Sequence, residues 1–156
     1  MAGKLQFTSH SPDETKAFAH AIAPILRMGD VILMEGHIGG GKTHFARSLI
    51  QHLLQSGEDV PSPTFTLVQT YESDIGEVWH SDLYRLSHPD EVFELGLVDA
   101  FSDAVCLVEW PDRLGDLAPN SALTLSFLAT DILEERLIEA SWRDDRWDTL
   151  TDLARV

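Results

Sequence analysis

Residues Gly36-His37-Ile38-Gly39-Gly40-Gly41-Lys42-Thr43 set four glycines ahead of a lysine and a hydroxyl side chain. The stretch fits G-x-x-x-x-G-K-[S/T] at every fixed position. Glycines at this density let successive backbone N–H groups turn toward one point with no side chain in the way, as gripping an anion requires. The segment from Ile38 through Gly39, Gly40, Gly41, Lys42 and Thr43 is therefore the candidate phosphate cradle. The Lys42 ammonium reaches the β/γ-phosphates and the Thr43 hydroxyl is a candidate Mg²⁺ ligand. No G-x-G-x-x-G can be drawn through these residues, which separates them from a dinucleotide fingerprint.

A phosphate loop specifies only a nucleotide. The carboxylate that holds a metal and the group that places a nucleophile must come from elsewhere. Three segments offer them. In AVCLVEWPDR (104–113) an apolar run ends in Glu109, and a carboxylate at the tip of a parallel strand beside the loop suits the acidic metal-ligand role. In EVWHSDLYR (77–85), Asp82 either orients an attacking water or holds Mg²⁺ through water, and Arg85 either locks Asp82 or builds a partner surface. His80 reads as a packed or hydrogen-bonded histidine. In PSPTFTLVQTY (61–71), two prolines fix an extended loop carrying Ser62, Thr64 and Thr66, which suits a γ-phosphate sensor or an ordinary entry into an edge strand.

The elements that must position these groups follow from the pattern. KLQFT alternates as a short strand, and Ser11-Pro12-Asp13-Glu14 has capping-box spacing with proline at the first helical position. That predicts a helix from about 12 to 26, loosened in its last turn by Pro24. VILME (31–35) reads as a strand buried on both faces. Phe45, Leu49 and Leu53 recur at helical spacing from Lys42 to about Gln55, with Ser56-Gly57 as the stop. A hairpin is expected over 66–82 with its turn at Ser73-Asp74-Ile75-Gly76. SALTLSFLAT and ERLIEASW read as a further strand pair, and RDDRWDTLTDLARV as an amphipathic helix with Trp147, Leu150 and Leu153 on one side. The fold class expected is a three-layer α/β domain of the P-loop NTPase type, with a mixed sheet and parallel central strands including VILME and AVCLVEW, in one domain over 1–156.

Composition bounds the partners. The chain carries 26 acidic and 11 basic residues, a formal charge of −15. Residues 1–71 hold 6 acids and 5 bases, residues 72–156 hold 20 acids and 6 bases. Such a surface repels phosphate backbones, so direct tRNA or other nucleic-acid binding is not expected. The acidic half is either a solvated face or a surface for a basic partner protein. The single Cys106 excludes a disulfide framework and reads as a buried small hydrophobe. No apolar run reaches the roughly 20 residues of a membrane span and no secretory leader is seen, which points to the cytoplasm.

Four landmarks in order, GHIGGGKT, SPTFTLVQTYE, HSDLYRL with FELG at 93–96, and VEWPDRL, resemble the bacterial P-loop ATPases of the tRNA threonylcarbamoyladenosine pathway, the TsaE (YjeE) type. The resemblance covers nearly the whole chain. It implies ATP and Mg²⁺ as cofactors, Thr43 and Glu109 as metal ligands, Asp82 near the γ-phosphate in a catalytic or nucleotide-contacting role, Trp110 close to the nucleotide and a switch-like SPTFT loop. Among the candidates, Lys42, Asp82 and Glu109 are the catalytic set. It also implies weak hydrolysis that matters in a complex with the threonylcarbamoyl transferase and that subunit's dimerisation partner, acting at adenosine 37 of tRNAs reading ANN codons. His37 replaces the usual Asp or Asn, Ile38-Gly39-Gly40 replaces Leu-Gly-Ala, and Ser81 replaces the commoner Phe. Backbone N–H donation does not depend on those side chains. A small-molecule kinase fits less well, having only Arg85 and Arg113 near the site. A GTPase would match Asp112-Arg113-Leu114-Gly115 as D-x-x-G, but the chain has no Asn-Lys-x-Asp to read guanine.

Overall fold

A computed structural model describes residues 3–37, 41–54, 60, 67–86, 88 and 90–153. Ile38, Gly39, Gly40, the Ser56-Gly57 stop and the 61–66 part of the proline-bearing loop lie outside the described residues. Strands β2 (Val31–Gly36) and β5 (Val105–Glu109) form the centre of the sheet. Ile32, Met34, Val105 and Leu107 face one core, and Val31, Leu33, Cys106 and Val108 face the other. Strands buried on both faces need apolar residues at every position, which explains the unbroken apolar runs. Burial pushes the Cys106 thiol up to about 12, so it stays neutral and packs as a hydrophobe.

The remaining strands are β1 (Gly3–Ser9), β3 (Val68–Ser73), β4 (Gly76–Asp82), β6 (Leu123–Ala129) and β7 (Arg136–Trp142). One seven-stranded sheet runs β1-β7-β6-β2-β5-β4-β3. The inner four strands β6, β2, β5 and β4 are parallel, and the outer pairs β3/β4, β6/β7 and β1/β7 are antiparallel. The expected mixed sheet with a parallel centre is what forms. Each hairpin joins that centre through one strand laid parallel to it, β4 on β5 and β6 on β2.

Helices α1 (Pro12–Ile22) and α2 (Lys42–Leu54) cover one face, and α3 (Glu91–Glu94) and α4 (Leu97–Asp103) the other, giving three layers. Ser11 Oγ accepts from the Glu14 N–H at 3.2 Å, while Glu14 Oε1 accepts from the His10 N–H at 3.1 Å, a capping box shifted by one residue. Regular α-helix stops at Ile22 and Ala23–Ile25 tightens into a 3-10 turn, because Pro24 has no N–H to continue the ladder. Phe18 stacks on Phe7 at 4.7 Å and meets Phe45 at 6.0 Å, and Phe45 meets Phe127 at 5.6 Å. This aromatic chain ties both helices to the sheet and so fixes where α2 starts.

The tail differs from expectation. Instead of one amphipathic helix it forms a 3-10 turn at Asp145–Trp147 and the short α5 (Leu150–Leu153). Tertiary bonds override the helical pattern. Asp144 accepts from the Arg146 N–H at 2.8 Å, the Arg146 Nε–H donates to Asp30 at 2.7 Å, and the Trp147 Nε1–H donates to the Ser121 carbonyl at 2.8 Å. Trp147 and Leu150 are nevertheless buried, as their spacing suggests. Among the described residues, no helix is long and apolar enough to cross a membrane.

Candidate functional site

Because β2, β5 and β4 run parallel, their C-terminal ends lie along one edge of the sheet, and Gly36, Glu109 and Asp82 end those strands. Such an edge is where open α/β sheets bind ligands. Gly36 ends β2 at φ +139°, and a Cβ there would lie 2.5 Å from the Phe127 carbonyl on β6. Only glycine lets the chain leave the strand at this point. Helix α2 begins at Lys42, so Lys42 and Thr43 occupy its first turn, the end that carries the helix's positive pole.

Several side chains converge there. The Thr43 hydroxyl donates to Glu109 Oε1 at 2.8 Å. The other oxygen, Glu109 Oε2, lies 2.7 Å from His80 Nε2. Asp82 is the register partner of Glu109 on the neighbouring strand, and its Oδ1 accepts from the Tyr84 N–H at 3.0 Å. Lys42 Nζ donates to the Gly36 carbonyl at 2.6 Å and sits 3.7 Å over the Trp110 ring. The Tyr84 ring meets Trp110 at 4.8 Å. Trp110 holds φ +60°, ψ 55°, a left-handed conformation that is costly for a tryptophan and more so before a proline. That turn takes the indole off the line of β5 and under the Lys42 ammonium.

Burial acts on both a cation and a carboxylate at this edge. Burial pushes Lys42 below the usual lysine range, with Glu109, Asp82 and Asp112 pulling the other way. Burial likewise lifts Asp82 above the usual carboxylate range, and Glu109 lifts it further, against the Tyr84 N–H, His80 and Lys42. A desolvated cation and a desolvated carboxylate held at one strand edge suit a polyphosphate and its reacting water.

The structure brings Lys42, Thr43, Glu109, Asp82 and Trp110 together, with Gly41 at the head of α2. Arg113 is exposed, and the charge that the exit segment places beside Lys42 is Asp112 instead. Sequence reading missed the link from His80 to Glu109, although two-residue spacing already puts His80 and Asp82 on one face of β4. It also missed a recess of about 320 Å³ beside Gly41, lined by Pro12, Thr15, His44, Glu134 and Arg136. No motif marks that recess, because three separate elements build it. A larger cavity of about 690 Å³, lined by Leu33, Gly115 and Asn120 among others, contains none of the converging side chains.

On the other face of β4, Ser81 is fully buried, and among the described residues its hydroxyl has no hydrogen-bond partner. An unpaired buried hydroxyl costs stability that an alanine does not. Ser81→Ala is therefore expected to raise unfolding free energy by about 1 kcal/mol in urea titrations, with nucleotide affinity unchanged.

The donor chemistry fits Mg²⁺ rather than a metal caged by protein alone. Among the described residues no trio of His, Cys, Asp and Glu gathers to hold an ion. Magnesium characteristically takes one or two protein oxygens and completes its shell with phosphate and water, which Thr43 and Glu109 at contact distance permit.

The family model described as Threonylcarbamoyl adenosine biosynthesis protein TsaE matches residues 9–138. The tRNA threonylcarbamoyladenosine biosynthesis protein TsaE of Rickettsia bellii is 38% identical over 122 residues, covering 78% of this chain and 85% of the relative. The protein of the same name from Bacillus subtilis is 36% identical over 123 residues, covering 78% and 76%. The crystal structure of Bacillus subtilis YdiB superposes with a TM-score of 0.76 at 30% identity, covering 99% of this chain and 97% of that one. With strand edge, Lys42, Thr43 and carboxylates already in place, these matches leave one assignment: the chain belongs to the TsaE family.

Proposed function

We propose that this chain is a single-domain cytoplasmic ATPase that works in forming threonylcarbamoyladenosine on tRNA, the process for which its relatives are named. The observation that carries the reading is the 2.8 Å contact between Thr43 at the start of α2 and Glu109 at the tip of β5, with Lys42 and Asp82 flanking it. Backbone N–H groups of the loop and the Lys42 ammonium bind the phosphates. Thr43 and Glu109 hold Mg²⁺, which supplies charge neutralisation at the β/γ-phosphates. Asp82, one strand over, orients the attacking water and receives its proton. Trp110 supports Lys42 from below, and the recess beside Gly41 offers the base a place.

The acidic surface supports an indirect route to tRNA through partner proteins, the threonylcarbamoyl transferase and its dimerisation partner. Hydrolysis is expected to be slow alone and faster in that assembly, where it resets the transferase. Phosphate release measured on the purified chain, then with the transferase pair added, tests this. Release that rises with the partners supports the reading. Tight ATP binding with no release in either condition would leave a passive nucleotide module, and release that requires a small-molecule acceptor would leave a kinase.

A further inference from the structure

We propose that His80 is a positioning residue for the metal site: its Nε2–H holds Glu109 so that the other carboxylate oxygen stays turned to Thr43. The inference rests on the reading of Thr43 and Glu109 as the Mg²⁺-holding pair. Glu109 is itself buried, 2% exposed, and each of its oxygens is taken, Oε2 by His80 and Oε1 by the Thr43 hydroxyl. Nε2 and Oε2 lie 2.7 Å apart, and since a metal-holding Glu109 has no proton to give, the bond on that reading runs from an Nε2–H to the carboxylate.

His80 is fully buried, and among the described residues its Nδ1 has no hydrogen-bond partner. A ring held by packing alone would be better replaced by an apolar side chain, since an unpaired buried nitrogen is a net cost. The bond to Glu109 is what the imidazole supplies in return. Holding one oxygen removes rotation about the carboxylate's last torsion and leaves Oε1 as the oxygen presented beside Thr43. Outer partners of this kind typically change metal affinity by about 10- to 100-fold when removed.

Glutamine and asparagine separate this role from mere packing. The Gln side-chain amide reaches about as far as Nε2, whereas the Asn amide stops near Nδ1. His80→Asn is expected to raise the Mg²⁺ concentration that half-saturates Mg²⁺-dependent ATP-analogue binding by about 10-fold. His80→Gln is expected to stay within about three-fold of the unsubstituted protein. Analogue affinity in EDTA is expected to be unchanged in both, a readout that lost packing would not leave intact. Equal Mg²⁺ half-saturation for the Asn variant and the unsubstituted chain overturns the inference and leaves the parent reading standing. No Mg²⁺-dependent binding by the unsubstituted chain overturns the parent reading and this one with it. Should either variant fail to fold, long-range ¹⁵N spectra of the unsubstituted protein decide the matter: a proton on His80 Nε2 supports the inference, and an unprotonated Nε2 overturns it.

Discussion

Lys42→Ala is expected to weaken ATP binding about 100-fold by isothermal titration calorimetry, the equivalent of about 3 kcal/mol for one charge-assisted contact in a desolvated setting. Lys42 is 4% exposed, and its ammonium is carried on the Trp110 face and tied to Gly36, so it is pre-placed and is not a surface charge recruited on binding. Its burial also sets a pH dependence. Lys42 sits below the ordinary lysine value of 10.5, so affinity is expected to fall at alkaline pH sooner than a solvated lysine would allow. Between the lowered value and the ordinary one the unfolded chain binds more protons than the folded one. Stability of the ligand-free protein therefore rises with pH through that window. An alanine variant that bound ATP within a few-fold of the unsubstituted chain would remove Lys42 from the site.

Asp82→Asn is expected to separate function from stability. Steady-state phosphate release in the assembled complex should drop by about 100- to 1,000-fold, the range for losing a positioned base, with ATP affinity held within a few-fold. The ligand-free variant should melt higher by roughly 1–2 °C, because it loses a carboxylate that burial and Glu109 both disfavour. The amide oxygen still accepts from the Tyr84 N–H, so the local turn survives. The sign of the pH effect follows from the raised carboxylate. Between the ordinary value of 3.8 and the folded one, the folded chain binds more protons, so Asp82 makes stability fall as pH rises through that window. Asparagine abolishes that contribution. Normal hydrolysis by the variant in the complex would take the water-orienting role away from Asp82.

Much of this was legible because a backbone that must turn sharply or pass close to another strand leaves a signature in glycine. Gly36 is the clearest instance, since β6 approaches so closely that no side chain fits. The unbroken runs at β2 and β5 were legible for a related reason, two-sided burial. What sequence could not give was which strands lie side by side. That β4 lies parallel to β5, and not merely against β3, is what sets Asp82 beside Glu109 and puts His80 in reach of the carboxylate. Pairing of that kind depends on contacts distant in the chain, which local periodicity does not encode. The tail was misread for the same reason. Arg146 and Trp147 are drawn to Asp30 and Ser121, far away in sequence, and those bonds outweigh the helical spacing.

A crystal structure with a non-hydrolysable ATP analogue and Mn²⁺ in place of Mg²⁺ tests the central claim most directly, since manganese marks its own position by anomalous scattering. The account predicts one anomalous peak at coordination distance from Thr43 Oγ1 and on the Glu109 Oε1 side, with the analogue's phosphates against the N-terminus of α2 and Lys42 Nζ drawn from the Gly36 carbonyl onto them. A peak away from both residues, or phosphates bound anywhere other than the start of α2, would contradict it.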